Sequence, residues 1–316
     1  MQRAVLALGG NAISPHASAG TAAEQTATIG LTMKAVAELV VEGWHVVLTH
    51  GNGPQVGNVL VKNELAKDVV PPVPLDWCVA QTQATIGFTA ATALEWELAQ
   101  RGHDAAVVPV VSRVLVSRDD PAWDHPTKPI GRGVDEAEAR RRMAAGDQRW
   151  VDDGDRGWRR VVPSPRPLRS LDRTAIDLLL DDGAVVIANG GGGIPMVDAE
   201  DGPPRGVEAV VDKDLAAALL AQEIGAEVLA ILTDVEGVAI DFGQPDQRWL
   251  GRVGVAELRR HAEAGQFRAG SMGPKVEAVC GFVERTGHRA AVGALDDAIG
   301  AVHGDVGTQV VAEESP

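Results

Sequence analysis

Two apolar runs near the start of the chain, Ala4–Leu8 and Trp44–Thr49, each break off into glycine and asparagine. The first runs into Gly9-Gly10-Asn11, the second through His50 into Gly51-Asn52-Gly53 and on to Gly57. Residues 21–43 lie between them with an amphipathic helical pattern that stops at Gly43. Short apolar runs bounded by glycine read as buried strands. Strand, helix and strand in this order make a βαβ unit, and in open parallel sheets ligands lie at the carboxyl ends of the strands. Both glycine loops fall at that end, where bare backbone N–H groups can approach an anion. One Gly-Gly pair is often only a turn; two such loops one crossover apart are more specific.

The pattern continues. Ala105–Val111, Ala184–Ala188, Val228–Leu232, Ala290–Val292 and Val310–Ala312 read as further strands. The run at 184–188 opens into Asn189 and four glycines, Gly190–Gly193. Four glycines carry a large entropic penalty on folding, so they mark either a flexible loop or a backbone against which something large lies; the second reading is adopted. A long helix is expected over 76–99, with Gln81, Thr82 and Gln83 on a solvated face or, as the alternative, a dimer face. From Arg113 to Leu168 the rhythm is lost and Arg, Asp, Pro and Trp accumulate. This stretch reads as an inserted subdomain within one domain spanning 1–316, either a lid or a surface decoration.

Cations narrow the chemistry. Lysine occurs only six times among 29 basic residues, so arginine serves as the general surface cation here. Lys34, Lys62 and Lys67 sit in helical polar patterns and need no role. Lys128 stands between prolines in Pro126-Thr127-Lys128-Pro129, on a stiffened loop. Lys213 lies in Asp212-Lys213-Asp214, directly before an Ala/Leu-rich helix, and Lys275 follows Gly270-Ser271-Met272-Gly273-Pro274 at another helix start. A helix N-terminus favours carboxylates and repels cations. Taken alone, the triplet is a cap with a solvated lysine; repeated placement of ammonium groups against a helix dipole asks for a bound anion.

Other chemistries drop out. A net charge of −15 disfavours nucleic acid and anionic membranes as partners. The two cysteines, Cys78 and Cys280, form no metal-ligand spacing, and no metal site is expected. The apolar run after Met1-Gln2-Arg3 is too short for a secretory signal, no stretch approaches membrane-spanning length, and a cytoplasmic location is the expectation. The chain has no P-loop, no G-x-G-x-x-G and no G-x-S-x-G. Phosphoryl transfer fits what remains, because its transition state asks the protein mainly for position and positive charge. Mg²⁺ carried by a nucleotide needs few protein ligands.

These segments together resemble the carbamate kinases of the amino-acid-kinase superfamily. The likeness rests on ALGGNA (7–12), THGNGPQVG (49–57), PLD (74–76), PTKPIG (126–131), WRRVVPSP (158–165), GGGGIP (190–195), GVEAVVDKDLAAALLA (206–221), LTDVEGV (232–238) and GSMGPKVEA (270–278). The resemblance implies a three-layer αβα sandwich around a mainly parallel sheet, with a small protruding lid, and a homodimer. It also implies reversible phosphoryl transfer between ATP and carbamate, giving ADP and carbamoyl phosphate, with ATP formation during arginine breakdown as the frequent direction.

Carried over by motif, Gly9, Gly10, Asn11, Gly51, Asn52 and Gly53 would hold carbamate and the moving phosphoryl group. Lys128, Lys213 and Lys275 would neutralise the phosphates, and Asp214 would orient the lysines. Gly191, Gly192, Gly193, Asp212, Asp234, Val235, Gly237, Val238 and Met272 would border the nucleotide. Superfamily relatives place a lysine before the first Leu-Gly-Gly, where this chain has Ala7; the departure agrees with the carbamate kinase pattern. A kinase for another small carboxylate, or a nucleotide sensor on the same scaffold, are the alternatives.

Overall fold

The computed structural model describes residues 2–14, 20–146, 148–154, 157–268 and 270–313, with Asn11 described by its backbone alone. The first strand, β1 (Arg3–Leu8), is buried from Ala4 to Leu8 and lies mid-sheet. Its side chains alternate between two cores, as a two-residue period demands. Val5 and Ala7 enter one apolar cluster; Ala4, Leu6 and Leu8 enter the other.

The helix α1 (Ala22–Val41) starts at a capping box. The Glu24 amide donates to the Thr21 hydroxyl at 3.3 Å and the Thr21 amide to the Glu24 carboxylate at 2.9 Å. It leads to β2 (His45–His50), parallel to β1. The glycine stretch that follows is shorter than the sequence suggested. Only Gly51 and Asn52 precede α2 (Gly53–Ala66), which has Pro54 in its first turn, where a missing N–H removes no hydrogen bond. Next come α3 (Leu75–Gln100) and β3 (Val107–Pro109), a strand of three residues where 105–111 was expected. β3 is the edge of the sheet, and Pro109 offers it no donor.

Strands β4 (Arg113–Val116) to β8 (Pro167–Ser170) frame the Arg- and Pro-rich stretch. Within it, β5 (Lys128–Val134), α4 (Glu136–Ala145), β6 (Arg149–Asp152) and β7 (Trp158–Val162) form a separate unit, whose three strands pair antiparallel. β4 and β8 pair with each other and, with β10 (Ile194–Val197) and β11 (Arg205–Gly206), complete a four-stranded sheet. α5 (Arg173–Asp181) and β9 (Val185–Ile187) precede these last two strands.

The remaining elements are α6 (Lys213–Glu223), β12 (Val228–Thr233), the short pair β13 (Ala239–Ile240) and β14 (Arg248–Trp249), β15 (Arg252–Gly254), α7 (Val255–Glu263), α8 (Met272–Thr286), β16 (Arg289–Ala294), α9 (Ala298–His303) and β17 (Thr308–Val311). The main sheet runs β15-β17-β16-β12-β1-β2-β9-β3, parallel throughout except between β16 and β17. Side chains of α1, α3 and α9 fill the core on one face, and those of α5, α6, α7 and α8 fill the other. This is the three-layer αβα arrangement. β1 sits between β2, which follows it, and β12, which comes late in the chain, so the strand order reverses there and opens a crevice at the carboxyl ends.

Candidate active site

A cleft of about 1200 Å³ occupies that crevice. Its walls come from the exits of four neighbouring strands: Gly9 and Gly10 after β1, Gly51 and Asn52 after β2, Asp234 after β12, and Leu295 and Asp296 after β16. Gly191, from the glycine turn that follows β9, joins them. The first two loops touch. A Cβ on Gly51 would lie 3.4 Å from the Gly10 nitrogen and 3.5 Å from the Lys213 side chain, so glycine keeps this floor thin.

The three lysines singled out by their scarcity all line this one cleft. Lys213 is the first residue of α6, whose N-cap is Asp212. The Asp212 carboxylate divides its two oxygens. Oδ1 accepts the backbone N–H of Asp214 at 2.9 Å and of Leu215 at 3.3 Å, capping the helix. Oδ2 accepts from Lys128 Nζ at 2.6 Å, from the first residue of β5. Asp214 lies between the other two cations: Oδ1 is bonded to Lys213 Nζ, and Oδ2 accepts from Lys275 Nζ at 2.9 Å.

Burial opposes ionisation of Asp214, yet the two ammonium groups outweigh it and hold its carboxyl well below the usual carboxylate range. Burial, assisted by Lys275, pulls Lys213 below an ordinary lysine despite Asp214. Lys275 is also desolvated, but Asp214 prevails and its pKa rises. Two cations and one carboxylate thus leave surplus positive charge in a desolvated wall, beside the N-termini of α6 and α8.

The small β5–β7 sheet roofs part of the cleft through Lys128, Pro129, Ile130, Gly131, Arg132, Gly133 and Arg159. Arg159 braces it, donating to the carbonyls of Gly131 at 3.1 Å and Pro129 at 3.3 Å and to Asp153 at 3.1 Å. Its backbone rests on α2 with no side chain between them: a Cβ on Gly57 would fall 2.3 Å from Gly131 Cα.

Of the residues expected to border a nucleotide, Gly191, Asp212 and Asp234 line the cleft, whereas Gly192, Gly193, Val235, Gly237, Val238 and Met272 do not. Gly237 and Val238 pack at Thr308, whose hydroxyl accepts the Val238 N–H at 2.8 Å. Gly53 joins Gly9, Gly10, Gly51 and Asn52 on the wall, and Asn11 lies in the turn Gly10–Ala12, its side chain outside the described atoms.

The four-glycine turn is covered by the protein itself. Cβ atoms would strike the His50 ring from Gly190, the Asn52 amide from Gly191, the Val211 carbonyl from Gly192 and Val114 from Gly193. Gly191, Gly192 and Gly193 also take φ of 65°, 91° and 84°, where L side chains are strained. The expectation of a large body on the backbone holds for its physics and needs correction for its identity: the His50 ring, the Asn52 amide, the Val211 backbone carbonyl and the Val114 side chain are that body.

Thr82 and Gln83 need a second correction. Neither is solvated; both are buried, and they hold the loops of the cleft. The Asn52 amide donates to the Thr82 hydroxyl at 2.9 Å, and Gln83 Nε2 donates to the Gly190 carbonyl at 3.0 Å. His50, whose ring fills the space beside Gly190, is buried. That burial, against an opposing hydrogen bond to the Gly51 carbonyl, drops its pKa to about 4 and keeps the ring neutral.

Comparison with known proteins adds an independent line. The model of the amino acid kinase family matches residues 2–293. A carbamate kinase of Thermococcus kodakarensis is 46% identical over 99% of this chain and 100% of its own length. A crystal structure from Aeropyrum pernix K1 superposes with a TM-score of 0.94 at 43% identity, covering 99% of this chain and 100% of that one. Giardia lamblia carbamate kinase bound to AMP-PNP superposes at 0.91 with 38% identity over 98% of both chains.

Proposed function

The chain belongs to the amino acid kinase family, and from its near-full-length likeness to carbamate kinases we propose that it is a carbamate kinase, moving a phosphoryl group reversibly between ATP and carbamate to give ADP and carbamoyl phosphate. One observation carries the residue-level reading: Lys128, Lys213 and Lys275 converge on one cleft through Asp212 and Asp214.

In the ATP-forming direction, a β-phosphate oxygen of ADP attacks the phosphorus of carbamoyl phosphate. The new P–O bond forms as the P–O bond to the carbamate oxygen breaks, and carbamate leaves as an anion. No proton need move, so no general base is required. This agrees with a cleft lined by ammonium and backbone N–H groups, and with His50 held neutral outside its walls.

We assign Lys213 and Lys275 to the nucleotide phosphates and Lys128 to the phosphoryl in flight, with Asp214 keeping its two partners charged and aimed. Gly9, Gly10, Asn11, Gly51, Asn52 and Gly53 are assigned to carbamate and the transferred group; Gly191, Asp212 and Asp234 border the nucleotide. The β5–β7 unit, within the 113–168 stretch, acts as a lid on a single domain.

Mg²⁺ fits as an ion borne by the nucleotide. Among the described residues no three His, Cys, Asp or Glu side chains cluster as a metal cage, while Asp234 and Asp296 line the cleft and would face its water shell. When bound, Mg²⁺ neutralises phosphate charge. We further propose a homodimer, supported by the exposed Trp77, Phe88 and Trp96 along α3. ATP formation in arginine breakdown, in the cytoplasm, is carried forward on the resemblance; no helix among the described residues is long and apolar enough to cross a membrane.

The test is ATP formation from ADP with carbamoyl phosphate, run beside acetyl phosphate, and ATP consumption with acetylglutamate. Turnover confined to carbamoyl phosphate is expected. Preference for another acyl donor, or nucleotide binding with no turnover, overturns the reading.

A further inference from the structure

Thr82 and Gln83 are consecutive residues in the middle of α3, 2% and 4% exposed, and each reaches a different loop of the cleft. Thr82 Oγ1 donates to the Val79 carbonyl at 2.7 Å and accepts from Asn52 Nδ2 at 2.9 Å. A hydroxyl has a single proton. With it committed to Val79, Thr82 can only accept from Asn52, which fixes the amide with its NH₂ toward α3. Gln83 uses both ends of its amide. Nε2 donates to the carbonyls of Gly190 at 3.0 Å and Ser112 at 3.1 Å, and Oε1 accepts the Ser112 N–H at 2.7 Å. Ser112 in turn accepts the Asn189 N–H at 3.0 Å through its hydroxyl, so the strained start of the glycine turn, with Asn189 at φ 51°, is tied to the same point.

The two anchored loops press on each other. The space beside Gly191 is filled by the Asn52 amide, 2.2 Å from where a Cβ would stand, and both residues line the cleft. The two loops are thus in direct contact, and α3 holds both through one dipeptide.

We propose that Thr82 and Gln83 are positioning residues for the phosphoryl-transfer site: Thr82 holds the Asn52 amide in the orientation that receives the carbamoyl group, and Gln83 holds the Gly190–Gly191 turn against which that amide packs. The inference rests on the carbamate kinase reading. Asn52 contacts the acyl end in that reading, whereas the nucleotide lysines are anchored elsewhere, on α6 and α8. The effect should therefore divide between the two substrates.

The experiment compares the full-length enzyme with Thr82→Val, Thr82→Ser and Gln83→Met, recording KM for carbamoyl phosphate and for ADP, kcat, and thermal unfolding. Thr82→Val keeps the shape and deletes the hydroxyl. It is expected to raise KM for carbamoyl phosphate about fivefold to tenfold, with KM for ADP changed by less than about twofold. Thr82→Ser restores the hydroxyl and should return KM toward the unsubstituted value. Gln83→Met should raise KM for carbamoyl phosphate in the same direction. An unchanged KM for carbamoyl phosphate in Thr82→Val, or an equal rise for both substrates, overturns the inference while leaving the reaction standing. No ATP formation by the unsubstituted enzyme overturns the reaction and this inference together.

Discussion

Lys275 Nζ, near the start of α8, donates to Asp214 Oδ2 at 2.9 Å, joining α8 to α6 through two residues sixty-one apart in the chain. The pair, with Lys213 on the other carboxylate oxygen, concentrates positive charge where a polyphosphate would lie. An alanine at either lysine should lower kcat/KM by roughly 3 kcal/mol of transition-state stabilisation, the scale for one preorganised donor. Steady-state kinetics with ADP and carbamoyl phosphate decides it; near-normal turnover in either variant would remove that lysine from the mechanism.

Asp214→Asn should destabilise the fold by about 3–5 kcal/mol, because two desolvated ammonium groups lose their shared counter-charge. The pH dependence has a definite sign. The folded pKa of Asp214 is depressed, so its contribution is complete above the unfolded value of about 4 and is lost as pH falls below it. Stability from denaturant titrations should fall more steeply below about pH 4 in the unsubstituted protein than in Asp214→Asn.

His50 acts higher on the pH scale. Its ring is neutral in the folded chain down to about pH 4, whereas the unfolded chain takes up the proton near 6.5. Between those values the unfolded state binds more protons, so stability falls as pH falls, by about 3 kcal/mol over the interval. His50→Gln should lose that slope. Equal slopes in both proteins between pH 6.5 and 4 would show that another group controls it.

Gly57→Ala places a methyl group where the Gly131 backbone rests on α2. Overpacking of this kind costs about 1–3 kcal/mol, or is relieved by moving the lighter partner. The lighter partner is the β5–β7 sheet, which carries Lys128. The expected outcome is reduced kcat with nearly normal thermal stability. A large fall in Tm with kcat intact would mean that the two surfaces meet for folding alone.

Chelation of divalent cations should abolish ATP formation without unfolding the chain, since among the described residues no metal cage supports the fold. Activity assays and circular dichroism before and after chelator, then with Mg²⁺ restored, separate the two effects. Unfolding by chelator would place a structural ion in the protein.

The strand exits and the three lysines were legible because they break local rules: apolar runs stop at glycine, and in a chain that otherwise uses arginine two lysines stand at helix starts and the third between prolines. Thr82 and Gln83 were not legible. Polar residues in mid-helix look solvated, and their partners lie 30 and 107 residues away. The glycine turn was half legible. Its bareness showed that something sits on it, but only the fold brings His50 and Asn52 there. The strand expected at 105–111 shortened because edge position and Pro109 limit its pairing, which a run of apolar letters does not display.

Asp212 spends one carboxylate oxygen on the backbone of α6 and the other on Lys128. Should Lys128 swing away toward a phosphate, the first oxygen still seals the helix, so the stationary half of the enzyme does not register the departure. The same acid then becomes a waiting berth for the returning ammonium, and each turnover can end with the roof re-moored at the spot it left.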